Sequence, residues 1–182
     1  MARVHLAFLW HMHQPCYRDL ATRRLWMQWV RLHGVKDYTG MALLHEEFPA
    51  IRSTVNFSPS LLDQVDAYAA GAEDQVLAAS RKAPSTLTDD ERAFLRRQLC
   101  LAHPENHVRA HPRFAELEEK ARSRSSLSDA EFIDLETIAA IAWIHPIVFE
   151  RDAELAALRR KGRGFTTSER DAVLARHVRL LA

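Results

Sequence analysis

An α/β fold whose larger part is helical is what this sequence predicts, and three observations predict it. Val4 to Trp10 (VHLAFLW) is a near-continuous apolar run of strand length that opens into a polar cluster, His11, His13, Gln14, Tyr17, Arg18 and Asp19. Ser53 to Phe57 (STVNF) is β-branched and aromatic and is followed at once by Ser58-Pro59, a helix start. From Ala69 onward the pattern is helical, with three Ser/Thr-x-x-Glu capping boxes.

The first run suits a strand covered on both faces, as in a parallel sheet, although periodicity alone also admits a helical segment. Pro15 lacks an N–H and disfavours helix at the residue before it, so regular structure should stop there. Gly34 should interrupt any helix between Leu20 and Gly40, and Met41 to Phe48 should form a short amphipathic helix stopped at Pro49. STVNF is the second strand. Ser58 then caps a helix with Pro59 at its first position, carrying Leu61, Leu62, Val65 and Tyr68 at helical spacing.

The boxes at Thr88–Glu91, Ser128–Glu131 and Thr166–Glu169 each precede an amphipathic run. These are Phe94, Leu95 and Leu99; then Phe132, Leu135, Ile138, Ala139 and Ala142; then Val173, Leu174, Val178 and Leu181. Leu155 to Arg160 is a shorter helix ended by the loop Lys161–Gly164, and Ser123 to Ser128 reads as an exposed loop. The boxes fall at irregular spacing and make no repeat. Two strands alone cannot cover both faces of a parallel sheet, which usually has about five or six.

Composition excludes several classes. The 182 residues are 47% hydrophobic and 27% charged, as in an ordinary soluble domain. Lys and Arg total 25 against 24 acids, and no run of like charge forms a nucleic-acid arm. No stretch approaches the ~20 apolar residues of a membrane span. The N-terminus lacks the small-residue cleavage site of a secretory signal. Cys16 and Cys100 are too few and too far apart for a disulfide framework, so reduced thiols and a cytoplasmic setting are expected.

His11 and His13 are two apart, so in extended chain both point to one face. A metal site, a polar-ligand site and a strand end with internally satisfied histidines remain open readings of that pair. A metal site needs further ligands, and no later Asp, Glu or His ends a clear strand. The WMQWVRLHGVKDY stretch puts Trp26, Trp29, Arg31, His33, Lys36, Asp37 and Tyr38 together. Indole faces beside charged groups suit a flat polar ligand such as a sugar, while the same residues could be core and ion pairs. His103, His107 and His111 are spaced by four, but Pro104 and Pro112 break a helix across them, and they read as loop. His145-Pro146 reads as a boundary, and KGRGF (Lys161–Phe165) matches no phosphate-loop spacing.

Taken together, WHMHQPCYRD, WVRLHGVKDY, TVNFSPSLLDQ and KGRGFT resemble glycoside hydrolase family 57, in order and over most of the chain. RLHGVKDY is most similar to the α-amylase and amylopullulanase-like branch. The resemblance implies an incomplete seven-stranded (β/α) barrel with a helical region, and retaining chemistry on α-glucans without a metal or other cofactor. It implies that residues 1–182 are the N-terminal part of a catalytic domain. Residues 1–68 would hold the first barrel strands and the site loop, and 69–182 a mostly helical insertion. His11 and His13 match the family's substrate-binding histidines, with Gln14 supporting the turn or site. Trp10, Trp29, Arg31, His33, Lys36 and Asp37 are further lining or structural candidates. The family's nucleophile Glu and acid/base Asp belong to later motifs, so this chain is expected to hold no catalytic residue. Asp37, Glu46 and Glu47 are not promoted to that role. An α-glucan is the expected partner, with the remainder of the catalytic domain downstream, and neither nucleic acid nor membrane. A carbohydrate-binding or helical interaction protein without catalysis, and a metal-dependent hydrolase built on the two histidines, are the alternatives.

Overall fold

The structure, a computed structural model, describes residues 4–123 and 125–182. Strands β1 (Leu9–Met12) and β2 (Thr54–Phe57) pair in parallel, Leu9 beside Thr54 and Met12 beside Phe57. Between them run α1 (Trp29–His33), a π-helical turn (Gly34–Tyr38) and α2 (Thr39–Glu47). After β2 come α3 (Pro59–Ala69), α4 (Gln75–Ser80), α5 (Asp89–Leu99), α6 (Pro112–Arg122), α7 (Asp129–Ala142), α8 (Pro146–Arg151), α9 (Ala153–Lys161) and α10 (Thr167–Arg179).

Local chemistry explains most helix starts. Thr88, Ser128 and Thr166 each accept from the backbone N–H three residues on, and Glu91, Glu131 and Glu169 reach back to the cap N–H. All three boxes read from the sequence are therefore present. Lys82, Lys120 and Lys161 pair with these glutamates. Proline occupies the first turn of α3, α6 and α8. Gly162 ends α9 at φ +69°, a backbone region that favours glycine.

The helical core is built around α7, whose residues from Asp134 to Ala142 are all buried. Helices α5, α6 and α10 pack on it, so it carries apolar side chains on every side. Several of its buried polar atoms are matched. Asp134 accepts from Arg113 Nε at 2.9 Å and from the Phe165 N–H at 3.0 Å, and Glu136 accepts from Arg170 at 3.0 Å. A smaller cluster of Met12, Leu25, Val30, Leu61 and Tyr68 fastens β1 to α1 and α3.

Three expectations are corrected. Regular pairing begins at Leu9, not Val4, and the apolar run is uncovered: Val4 is 92%, Leu6 77% and Leu9 68% exposed. Helices cover part of one sheet face, and no described layer lies over the other, so the composition of a buried strand is present without its burial. Gly34 ends the α-helical winding of α1 but not the helical course of the chain, which continues as the π-helical turn. The backbone passes through it at φ −57°, and a Cβ there would meet Leu181 Cδ2 at 2.3 Å. The glycine makes room for the Leu181 side chain, which follows α10. His107 is not in a loop; it is buried in a π-helical turn, Pro104–Val108, where it packs on Trp143.

Candidate functional site

The two strands end together, and parallel sheets place their sites at the carboxyl ends of strands. Alternation divides β1 into two faces: Phe8, Trp10 and Met12 point one way, and Leu9, His11 and His13 the other. On the second face His11 Nδ1 lies 2.7 Å from Asn56 Oδ1, its neighbour on β2. That oxygen only accepts, so His11 donates through Nδ1–H, and Nε2 takes no part in that bond. His13 stacks on His11 with ring centroids 5.8 Å apart and planes within 10°. Both rings are exposed, aimed to one side as their spacing predicts.

The turn behind them is held from below. Buried Gln64 on α3 donates to the Pro15 carbonyl at 2.9 Å and accepts from the Tyr17 N–H at 2.8 Å. Ser60 donates to the Gln14 carbonyl at 3.0 Å. The Gln14 amide donates to Tyr38 Oη at 3.5 Å, and its oxygen accepts from Tyr17 Oη at 3.4 Å. Burial, then the neighbouring Tyr38, raises the Tyr17 pKa, so this phenol remains a proton donor. Tyr38 in turn donates to the His13 carbonyl at 3.5 Å. Tyr38 thus joins the histidine turn to the π-helical turn that carries Lys36 and Asp37.

There a second cluster forms. His33 Nδ1 bonds Asp37 Oδ2 at 2.6 Å, one helical turn apart. His33 meets Trp143 edge-on at 5.4 Å, Trp29 meets it at 6.1 Å, and His107 lies over it at 4.4 Å. Lys36 donates to the Ala142 carbonyl at 3.1 Å. Burial lowers the Lys36 pKa, against the pull of Asp37 and with the push of Arg159.

The structure therefore brings His11, His13 and Gln14 into one group, and Trp29, His33, Lys36 and Asp37 into a second. Two candidates stand apart. Trp10 lies on the opposite face from His11, stacked on Phe8 beside Met41, Leu44 and Phe48. Arg31 is 3% exposed, bidentate to Asp74 at 2.7 and 3.3 Å and donating to His177 Nδ1 at 3.1 Å. His177 Nε2 donates to the Ala140 carbonyl at 2.9 Å, so every polar atom of that network but the alternate lone pairs is engaged. Arg31 is an anchor between the two halves of the chain. Glu46 is held by Arg151 at 2.7 Å, away from either cluster.

Sequence reasoning missed Asn56, Gln64, His107 and Trp143. Asn56 had a signal, the one amide inside an otherwise β-branched and aromatic run. Gln64 had none beyond its helical position, since its partners lie 47 and 49 residues away. Among the described residues, no group of three or more His, Cys, Asp or Glu is placed to hold a metal ion. No helix among them is long and apolar enough to cross a membrane.

No curated protein and no solved structure matches this chain. The sequence does match the family model described as Glycosyl hydrolase family 57, over residues 7–150. That span contains both strands, the His11–Pro15 turn and the whole of the Trp29–Tyr38 segment. With most of the chain matched and the histidine turn poised at the strand ends, the protein belongs to glycosyl hydrolase family 57, a family directed at glycosidic bonds.

Proposed function

We propose that this chain supplies the substrate-binding wall of a retaining glycoside hydrolase or transglycosylase acting on α-glucans. The observation that carries the reading is the stacked His11–His13 pair, exposed at the end of β1 and oriented by Asn56. With Nδ1–H committed to Asn56, His11 offers Nε2 for a hydrogen bond with a sugar hydroxyl. His13 offers a second ring on the same side, and Gln14 fixes the turn between β1 and α3. Trp29, His33, Lys36 and Asp37 line a neighbouring surface where an indole face and a His–Asp pair meet solvent. Flat polar faces of this kind suit pyranose rings.

Retaining cleavage needs two carboxylates about 5–5.5 Å apart, one as nucleophile and one as acid/base. The sheet face that bears His11 carries Leu9, Thr54 and Asn56 beside it, and none is a carboxylate. In this reading the pair sits on polypeptide that continues the sheet and covers the apolar residues from Val4 to Leu9, as the further strands of a (β/α) barrel. The chain alone binds glucan and does not cut it.

Calorimetric titration of the chain with maltooligosaccharides tests the binding half. His11→Ala and His13→Ala should each weaken binding about tenfold, the loss of one hydrogen bond of ~1–1.5 kcal/mol. Unchanged affinity in the double variant would sink the assignment. A reducing-sugar assay on starch should show no turnover by this chain, and turnover that survives control purifications would overturn the catalytic half.

A further inference from the structure

The back of the sheet, opposite His11 and His13, carries an open groove of about 290 Å³. Phe8 and Trp10 line it from the first strand segment, Met41, Leu44 and Phe48 from α2 and its C-cap, and Ile51 from the turn that follows. The Ile51 N–H donates to the Phe48 carbonyl at 2.9 Å and closes that turn. Phe48 is 54% and Ile51 53% exposed, and Phe8, Trp10 and Leu44 are exposed as well. Among the described residues no Lys, Arg, Asp or Glu lines the groove, and its polar side chains, His45 and Ser53, bond each other at 2.8 Å. Such a lining has few free polar groups to orient a sugar hydroxyl or an ion. It suits an apolar surface.

We propose that this groove is a homodimer interface, in which the Phe48–Ile51 turn of each copy packs into the groove of the other about a two-fold axis. Three observations select a second copy of this chain as the occupant. A two-fold interface sets one patch against itself, so a charge inside it would meet its own like, and this patch has none. Outside it, Glu47 and Arg52 flank the turn, both exposed and of opposite sign, so the rim of one copy complements the rim of the next. The third is area. The chain exposes 10454 Å². A compact monomer of its 20.9 kDa exposes about 9,000 Å². The difference exceeds the ~800 Å² that each partner gives to a standard interface. Trp10 points away from His11 and His13, so a copy seated here leaves both rings open to ligand.

Sedimentation equilibrium of the purified chain is the test. At about 50 μM it should give twice the monomer mass, since interfaces of standard size bind in the micromolar range or tighter. A monomer at that concentration would leave the groove to another occupant and overturn the proposal, as would an open series of larger species, which a closed two-fold contact does not form. Phe48 and Ile51 belong to neither hydrophobic core, so charges there spare the fold. Phe48→Asp and Ile51→Lys should each weaken association about thirtyfold or more, as at the centre of an interface, with the circular dichroism of the parent. Leu62→Asp, at an exposed apolar position on α3, should leave the association constant unchanged. Association as tight in the groove variants as in the parent, or equally weakened by Leu62→Asp, would contradict this interface. If aspartate at 48 prevents folding, Ile51→Lys decides.

Discussion

Leu9 on β1 and Leu135 on α7 are the same side chain in opposite circumstances, 68% exposed and fully buried. The contrast holds for the regions around them. Helices α5, α7 and α10 complete their first turns with their own capping boxes, and their apolar faces close on a common core. The sheet cannot do this. A helix satisfies its backbone within itself, whereas a strand depends on neighbours at both edges and on layers at both faces. The helical part closes on its own core, and the two-stranded part leaves most of its side chains exposed.

Substitutions sharpen that difference, beginning with the contact that joins the two parts. Asp74→Ala removes the partner of Arg31 and strands a buried guanidinium, so it should destabilise the chain by about 3–5 kcal/mol in urea unfolding. A loss under about 1 kcal/mol would mean the halves are not fastened there. Leu135→Ala, within the helical core, should cost about 2–5 kcal/mol by transfer and cavity formation.

The pH dependence comes next. Burial, then the charge of Lys36, holds the His107 pKa down to about 4, below an ordinary value near 6.5. The unfolded chain therefore binds this proton more readily. The contribution is fully present above about pH 6.5 and is lost as pH falls toward about 4. Buried His177, depressed to about 3, acts in the same direction, while Glu136, raised to about 7, makes stability fall as pH rises between about 4.5 and 7. Against that mixed background, His107→Phe should remove about 1–3 kcal/mol of the acid-side loss, read as a flatter plot of unfolding free energy against pH. An unchanged slope would place His107 in water. Smaller effects follow at the caps. Thr88→Ala, Ser128→Ala and Thr166→Ala should each cost about 1 kcal/mol, seen as lower denaturation midpoints. Smallest of all, Leu9→Ala should change stability by less than about 0.5 kcal/mol, and a core-sized loss there would show that the sheet is covered after all.

What the sequence made legible follows the reach of the interactions. Ser128 and Glu131 are three residues apart, so their box is written locally, as are Pro59 after Ser58 and Gly162 after α9. That a strand lies near VHLAFLW and another in STVNF followed from composition, and the common direction of His11 and His13 from their spacing. Long-range partners decided the rest. The room that Gly34 leaves is taken by Leu181, whether Arg31 meets solvent depends on Asp74 and His177, and His107 packs on Trp143. The apolar run from Val4 misled about burial because composition records the surroundings a strand is suited to, not those it has in a two-stranded sheet.

The Arg31 anchor has a consequence in time as well as in space. Its partners lie 43 and 146 residues further along the chain. The helix that leads into His33 and Asp37 is therefore synthesised long before the groups that lock it, and Gly34 finds Leu181 only when α10 has emerged. Contacts of such separation form slowly, since loop closure must precede them. The segment that carries His33 and Asp37 is made early and set late, so refolding monitored at Trp29 should trail the formation of helix.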